Sequence, residues 1–326
     1  MKTKEILKIF TRYRKFLIST HVNPDPDALS SQLAVGMYLE SLGKHVDFVN
    51  EEKAPEHYIF FRGAAKIKKY SEYRPSIPPE VMIVVDCGDM ERIGSVQKFI
   101  GSQKVIINID HHITNTYFGD INLIVPQASS TSEIIFDILP RSKFHLNQEM
   151  AELLYIGIMT DTGSFRYSNT TAHTHKVVSQ LMKFPIPVST LYQELYENVA
   201  LQDIKQFNIV AKAAEMLCKG EVICVTLPKI LTRKFSEKFD LRDKIFKYFR
   251  AIKGVEVVVI LSEQDKNKTR INFRSQGRVD VAQLASEFHG GGHRQASGCL
   301  IQSDFKKARK IILAKIQKAL KMTKEV

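Results

Sequence analysis

The sequence predicts an α/β fold: an amino-terminal, mainly parallel sheet followed by a smaller carboxy-terminal α/β domain. Three observations predict it. Short continuous apolar runs alternate with amphipathic stretches through residues 15–185, the pattern of parallel strands buried on both faces. A proline-bearing break, MKFPIPVST at 182–190, ends that alternation. Beyond it strand-like runs resume, and 326 residues, 44% of them hydrophobic and 25% charged, suffice for a core in each half.

Taken in order, MKTKEILKIFTRYRK reads as an amphipathic helix and not as a leader, because Lys8 interrupts its apolar part and no small-residue cleavage site follows. KFLISTH is the first strand and ALSSQLAVGMYLESLG a helix. KHVDFVN, VMIVVDCG, KVIINIDHH and INLIVP are further strands. In SSTSEIIFDIL a capping box runs from Ser130 to Glu133, so the hydroxyls there read as structural, contact with a substrate being the alternative for a loop just past residues 110–112. His173 and His175 fall at a helix start and read as surface or capping residues. The first domain is expected over 1–185. One long helix in LYQELYENVALQDIKQFNIVAKAAEML makes 186–217 a linker, and EVICVTLP, VEVVVILSEQ, TRINFRSQ and SGCLIQ are strands of a second domain over 218–326. No apolar run approaches the ~18 residues of a membrane span. The four cysteines show no C-x-x-C spacing and read as reduced core thiols, so the cytoplasm is the expected location.

Lys and Arg number 47 against 35 Asp and Glu, a net charge of +12 that favours an anionic partner such as nucleotide, nucleic acid or polyphosphate. The excess concentrates in residues 231–253 and 305–326, where solvated helix faces are the competing account.

Polar residues gather where strands end. His21 closes the first strand, Asp86 closes VMIVVD, and Asp110, His111 and His112 close VIINI. Parallel sheets bind ligands outside those carboxyl ends. His21, Asp25 and Asp27 share a loop stiffened by Pro24 and Pro26, with Asp27 a candidate N-cap for the next helix. Asp86 and Asp161 follow apolar residues and need a partner or a metal to offset desolvation. Imidazoles and carboxylates without cysteine suit a divalent ion such as Mn²⁺ better than structural zinc. Two histidines and four aspartates exceed the needs of one ion, whereas two ions sharing a carboxylate serve in-line attack on a phosphoryl centre. Further on, FHGGGHRQASG lets backbone amides approach an anion, although a plain turn accounts for the glycines too. RINFRSQ puts Arg270, Asn272 and Arg274 on one strand face, Arg274 being suited to fork onto phosphate or stack on a base.

These stretches carry a resemblance. HVNPDPDA, VVDCGD, NIDHH and MTDTGSF resemble the four ordered motifs of the DHH phosphoesterases, and FHGGGHRQASG resembles the GGGH motif of the associated DHHA1 domain. Together they span residues 21–298. Length and the direct succession of the two domains are similar to the nano-RNase/pAp-phosphatase (NrnA-like) type, the RecJ-type exonucleases being longer. The resemblance implies an active site in an interdomain cleft with two Mn²⁺ ions, Mg²⁺ being the alternative. His21 and Asp25 would bind one ion, Asp27, His111 and Asp161 the other, and Asp86 would bridge. Asp110 would orient His111 or act as a nearby acid, and His112 would contact the scissile phosphate. Gly290, Gly291, Gly292, His293 and Arg274 would hold a substrate phosphate or base. The implied reaction is hydrolysis of short oligoribonucleotides to mononucleotides, with phosphatase activity on 3′-phosphoadenosine 5′-phosphate (pAp). A phosphodiesterase acting on pApA or cyclic di-AMP uses the same chemistry. A pyrophosphatase or exopolyphosphatase is disfavoured, since such relatives carry a different second domain. From another class, a non-catalytic nucleic-acid-binding module fits the charge but not the full set of ligands. A homodimer is among the assemblies this chain admits.

Overall fold

Short, largely buried apolar strands organise the first of two units, Met1–Glu197. The computed structural model describes residues 2–75, 77–100, 104–139, 146–236 and 239–323. Six parallel strands, β1 (Lys15–Ser19), β2 (His45–Asn50), β3 (Lys68–Lys69), β4 (Val81–Val85), β5 (Val105–Asp110) and β6 (Ile121–Ile124), form one sheet in the order β3-β2-β1-β4-β5-β6. Every residue of β1 and β4 is buried, as expected of strands covered on both faces. Phe16, Ile18, Val81, Ile83 and Val85 feed one core. Into the same core pack α1 (Lys2–Arg12), α2 (Pro26–Ser41), α3 (Thr131–Ile138), α4 (Gln148–Asp161), α5 (Ala172–Leu181) and α6 (Val188–Tyr196). The intervening Leu17, Met82 and Val84 feed a second core with Tyr73, Ile93 and Val96. All these helices thus share one face, and segments rich in 3₁₀ turns line the other. Strand order reverses between β1 and β4, which opens a crevice at their carboxyl ends.

The single linker helix expected over 186–217 is instead two helices, α6 and α7 (Leu201–Ala213), separated by an extended Ala200 at φ −69, ψ 139. The reason is packing. Leu191 of α6 is buried in the first unit, while Phe207 and Val210 of α7 are buried in the second. By its internal contacts the chain divides after Glu197.

The second unit, Asn198–Val326, holds β7 (Glu215–Leu217), β8 (Val222–Leu227), the short helix α8 (Lys229–Thr232), β9 (Val257–Asp265), β10 (Lys268–Ser275), β11 (Gly291–His293) and β12 (Ala296–Ile301). Their order is β11-β12-β10-β9-β8-β7, with β8 and β9 parallel and the other pairs antiparallel. Val257, Val259 and Leu261 of β9 meet α10 (Val281–Ser286) and α11 (Phe305–Met322), whereas Val258 and Ile260 meet α7 and α9 (Leu241–Phe249) across the sheet. On α11 the buried Ala308, Ile312, Ile316 and Leu320 recur every fourth residue, leaving Lys306, Lys307, Lys310, Lys318 and Lys321 exposed. The basic run there is largely a solvated face. No described helix is long and apolar enough to cross a membrane.

Candidate metal centre

The site begins where β1 runs into the prolines. Asp25, not Asp27, is the N-cap of α2, accepting from Ala28 N at 3.0 Å. Pro26 decides this, since it takes the first helical position, where its fixed φ is preset and its missing N–H is no loss. Asp27 is thereby carried into the first turn with 1% exposure. Its Oδ2 accepts from Thr131 N at 2.7 Å and its Oδ1 from Ser132 N at 3.1 Å, the first amides of α3. The amino ends of two helices therefore converge on one carboxylate, an arrangement that favours its charged form. Ser130 caps α3, accepting from Glu133 N at 3.1 Å, but the Glu133 carboxylate accepts from Ser129 Oγ at 2.6 Å in place of closing the expected box. The neighbours of Ser130 do more than was assigned to them, because Thr131 Oγ1 donates to Asp86 Oδ1 at 2.9 Å.

Asp86 leaves β4 with φ at 52, a left-handed conformation whose cost is on the order of 1–3 kcal/mol. That turn sets its carboxylate among three imidazoles: His21 Nε2 at 3.7 Å, His111 Nε2 at 3.6 Å and His112 Nδ1 at 3.8 Å. His111 Nε2 also lies 3.4 Å from Asp161 Oδ2 at the end of α4. His21 Nδ1 is 2.9 Å from Val22 O and His111 Nδ1 is 3.4 Å from Ala128 O. A carbonyl only accepts, so each Nδ1 carries hydrogen. In the neutral ring the Nε2 lone pair is then turned to the carboxylates, the tautomer a metal-binding imidazole uses.

Three sets of donor atoms lie within 4.8 Å of one another: His21, Asp25 and Asp86; Asp27, His111 and Asp161; and Asp86, His111 and His112. Among the described residues, no Lys or Arg forms an ion pair with these carboxylates. Burial, with Asp86 adding its charge, pushes Asp27 up to about 7. Desolvation and the neighbouring carboxylates likewise raise Asp161 against the pull of His111. Burial alone would lower His111, but Asp161, Asp86 and Asp27 together carry it up to about 9. His21 is raised in the same way, Asp86 and Asp25 outweighing burial. Burial would raise Asp86, yet hydrogen bonding from His21 and the charges of His112 and His111 hold it below the usual carboxylate range. Without metal, protons on buried groups supply the positive charge that divalent ions would supply, so the donor set fits such ions.

Asp110, expected to orient His111 or to act as a nearby acid, has its Oδ1 2.6 Å from His112 Nδ1, while Asn115 Nδ2 donates to its Oδ2 at 2.6 Å. Its side chain is fully buried, which would raise it, and the bond from His112 lowers it below the usual range. The pair fixes hydrogen on His112 Nδ1 and puts Nε2 on the opposite edge of the ring. His111 and His112 both face Asp86, but His111 also meets Asp161 whereas His112 is held by Asp110.

In the second unit, register aligns Arg274 with Ala296 and Ala296 with His293, so the arginine and the histidine share a sheet face across a small residue. The Arg274 guanidinium stacks 4.8 Å above the Phe246 ring, and its Nη1 donates to Phe273 O at 3.1 Å. A side chain at Gly290 would meet Gly298 O at 2.3 Å, and one at Gly292, with φ at 137, would meet Ala296 O at 2.4 Å. Those two glycines answer to β12. Only above Gly291 is the space open.

The profile of the DHH family, N-terminal domain, matches residues 15–158, and that of the DHHA1 domain matches residues 230–323. The chain is 31% identical to the bifunctional oligoribonuclease and PAP phosphatase NrnA of Bacillus subtilis, over 93% of this chain and 94% of that protein. The chain belongs to the DHH/DHHA1 phosphoesterase family. The NrnA protein of Thermus thermophilus is 26% identical over 93% of this chain and 89% of its own. The crystal structure of an exopolyphosphatase-related protein from Bacteroides fragilis superposes with a TM-score of 0.88 at 26% identity, covering 98% of this chain and 97% of that one.

In this DHH protein the structure adds residues that no motif spacing had singled out. Thr131 joins Asp27, through its amide, to Asp86, through its hydroxyl. Gly157 of α4 lies where a side chain would come within 2.0 Å of Ser132 Oγ and 2.5 Å of Asp27 Oδ1. The Gly157 signal was a glycine inside a helix, which costs ~1 kcal/mol against alanine and calls for a packing reason.

Proposed function

We propose that this DHH protein hydrolyses short oligoribonucleotides to mononucleotides and acts as a phosphatase on pAp, with two divalent ions, Mn²⁺ foremost. The observation that carries the reading is the division of its donors into His21, Asp25 and Asp86 on one side and Asp27, His111 and Asp161 on the other. The names of the Bacillus and Thermus relatives support the substrate class. His21 and Asp25 would hold one ion, Asp27, His111 and Asp161 the other, with Asp86 shared. Bound there, the ions supply Lewis acidity toward phosphoryl oxygens and a lowered pKa for water. Asp110 holds His112 in one tautomer, so its Nε2 edge can hydrogen-bond the scissile phosphate or hand a proton to the leaving oxygen. Arg274, His293 and the Gly290–Gly292 run are assigned to gripping a phosphate or base, Arg274 through its planar fork.

The test is a panel: purified protein with Mn²⁺ or Mg²⁺, offered dinucleotides, pAp, pApA, cyclic di-AMP, long RNA and polyphosphate, with products separated by chromatography. Dinucleotides are expected to give mononucleotides and pAp to give AMP and phosphate. Release of phosphate from polyphosphate alone would overturn the reading, and cleavage confined to cyclic di-AMP or pApA would move it to the alternative phosphodiesterase.

A further inference from the structure

The backbone of Arg92 is bonded to Val22, the residue that follows His21 of the metal centre. The segment that carries it starts three residues past Asp86, at Asp89, whose side chain accepts from Glu91 N at 2.8 Å. Arg92 N donates to Asp89 O at 3.2 Å, and Arg92 O accepts from Val22 N at 2.7 Å, so its backbone is stitched to the residue after His21. Gly94, with φ at 70, brings the continuing chain against Val22 and Glu51 so closely that a side chain there would lie 2.8 Å from Val22 Cγ1 and 2.6 Å from Glu51 Oε2. Glu51 Oε2 in turn accepts from Ser95 N at 2.5 Å. The backbone is thus fixed on both sides of an exposed side chain. Its charge is felt at both the His21 ring and the Cys87 thiol. Yet among the described residues the guanidinium forms no ion pair and no hydrogen bond.

Charge balance says what it is for. Four carboxylates, Asp25, Asp27, Asp86 and Asp161, cancel two divalent cations, so an arriving phosphate finds no net positive charge in the donor set itself. A cation at the rim corrects that. We propose that Arg92 grips a phosphate oxygen of the substrate on the His21 side of the centre. This rests on the nucleotide-phosphate reading above and adds the residue that draws the anion in. A guanidinium suits the task because its fork matches phosphate geometry and it stays charged beside metals.

The experiment compares wild type, Arg92→Ala, Arg92→Lys and Arg92→Gln, all loaded with Mn²⁺, and measures inorganic phosphate binding by calorimetry together with KM and kcat for pAp and a dinucleotide. Loss of one charge-assisted contact is expected to weaken phosphate binding and raise KM by about 10- to 100-fold in Arg92→Ala and Arg92→Gln. Arg92→Lys should fall between, and bound Mn²⁺ and Tm should stay as in wild type. Unchanged phosphate affinity, or Mn²⁺ lost in step with it, overturns the assignment. Should the alanine variant fail to fold, the glutamine variant, of similar length and no charge, gives the same comparison. If wild type hydrolyses neither nucleotide, the proposed function falls, while the phosphate titration still decides Arg92.

Discussion

At the scale of single residues, the partner of Asp110 changes what its loss should do. An orienting carboxylate for His111 would act through metal affinity, and excess Mn²⁺ would restore the activity of its variant. The 2.6 Å contact is with His112 Nδ1, so Asp110→Asn should lower kcat by about 10- to 100-fold with Mn²⁺ affinity close to wild type. Saturating Mn²⁺ should restore little; full recovery would return Asp110 to His111. Charged residues beside apolar runs stand out, so the sequence singles out His21, Asp25, Asp27, Asp86, His111 and Asp161 as candidate donors, and the fold gathers their ligand atoms into groups within 4.8 Å. The sequence missed Thr131 because a hydroxyl at a helix start has an ordinary use, capping, and its bond to Asp86 crosses 45 positions. Asp27 is the candidate cap in the sequence, but Pro26 at the first helical position gives that role to Asp25.

At the scale of elements, the centre depends on how tightly α4 lies against the start of α3. Gly157 makes that approach feasible, since a methyl group there would overlap Ser132 Oγ and Asp27 Oδ1. Gly157→Ala should therefore cost about 1–3 kcal/mol of stability through overpacking and weaken Mn²⁺ binding by displacing Asp27. Thermal melts and Mn²⁺ titration check both halves. A variant with normal stability and normal metal affinity would mean that α4 can shift without consequence for the site. The strands of the first sheet were legible because each is a short apolar run between turn signals. The linker was not, because α6 and α7 read as one periodic stretch, and what separates them is allegiance to different cores. Periodicity reports that a face is buried but not which neighbour buries it.

At the scale of the whole molecule, the protons held in the metal-free centre tie stability to pH. Asp27 and Asp161 bind protons more tightly in the folded chain than when unfolded, as do His21 and His111. All four shifts have the same sign: the folded state carries more protons, so raising the pH disfavours it. For His111 the stabilisation is complete below the usual imidazole value and is lost as pH rises through about 9. Protein stripped with a chelator should thus lose Tm between pH 6.5 and 9, and Mn²⁺ should raise Tm more at the upper end, where no proton competes for the ligands. Differential scanning calorimetry with and without Mn²⁺ measures this, and a flat apo profile would contradict the arrangement of charges described above. The donors themselves come from the ends of β1, β4 and β5 and from α2 and α4, between residues 21 and 161. None of the three donor sets is contained in one element, so a set is complete only once strands distant in sequence have paired, late on the route to the native chain. Bound metal should then act as a latch and not as a seed: Mn²⁺ slows the unfolding limb of the kinetics and leaves the refolding limb where it was.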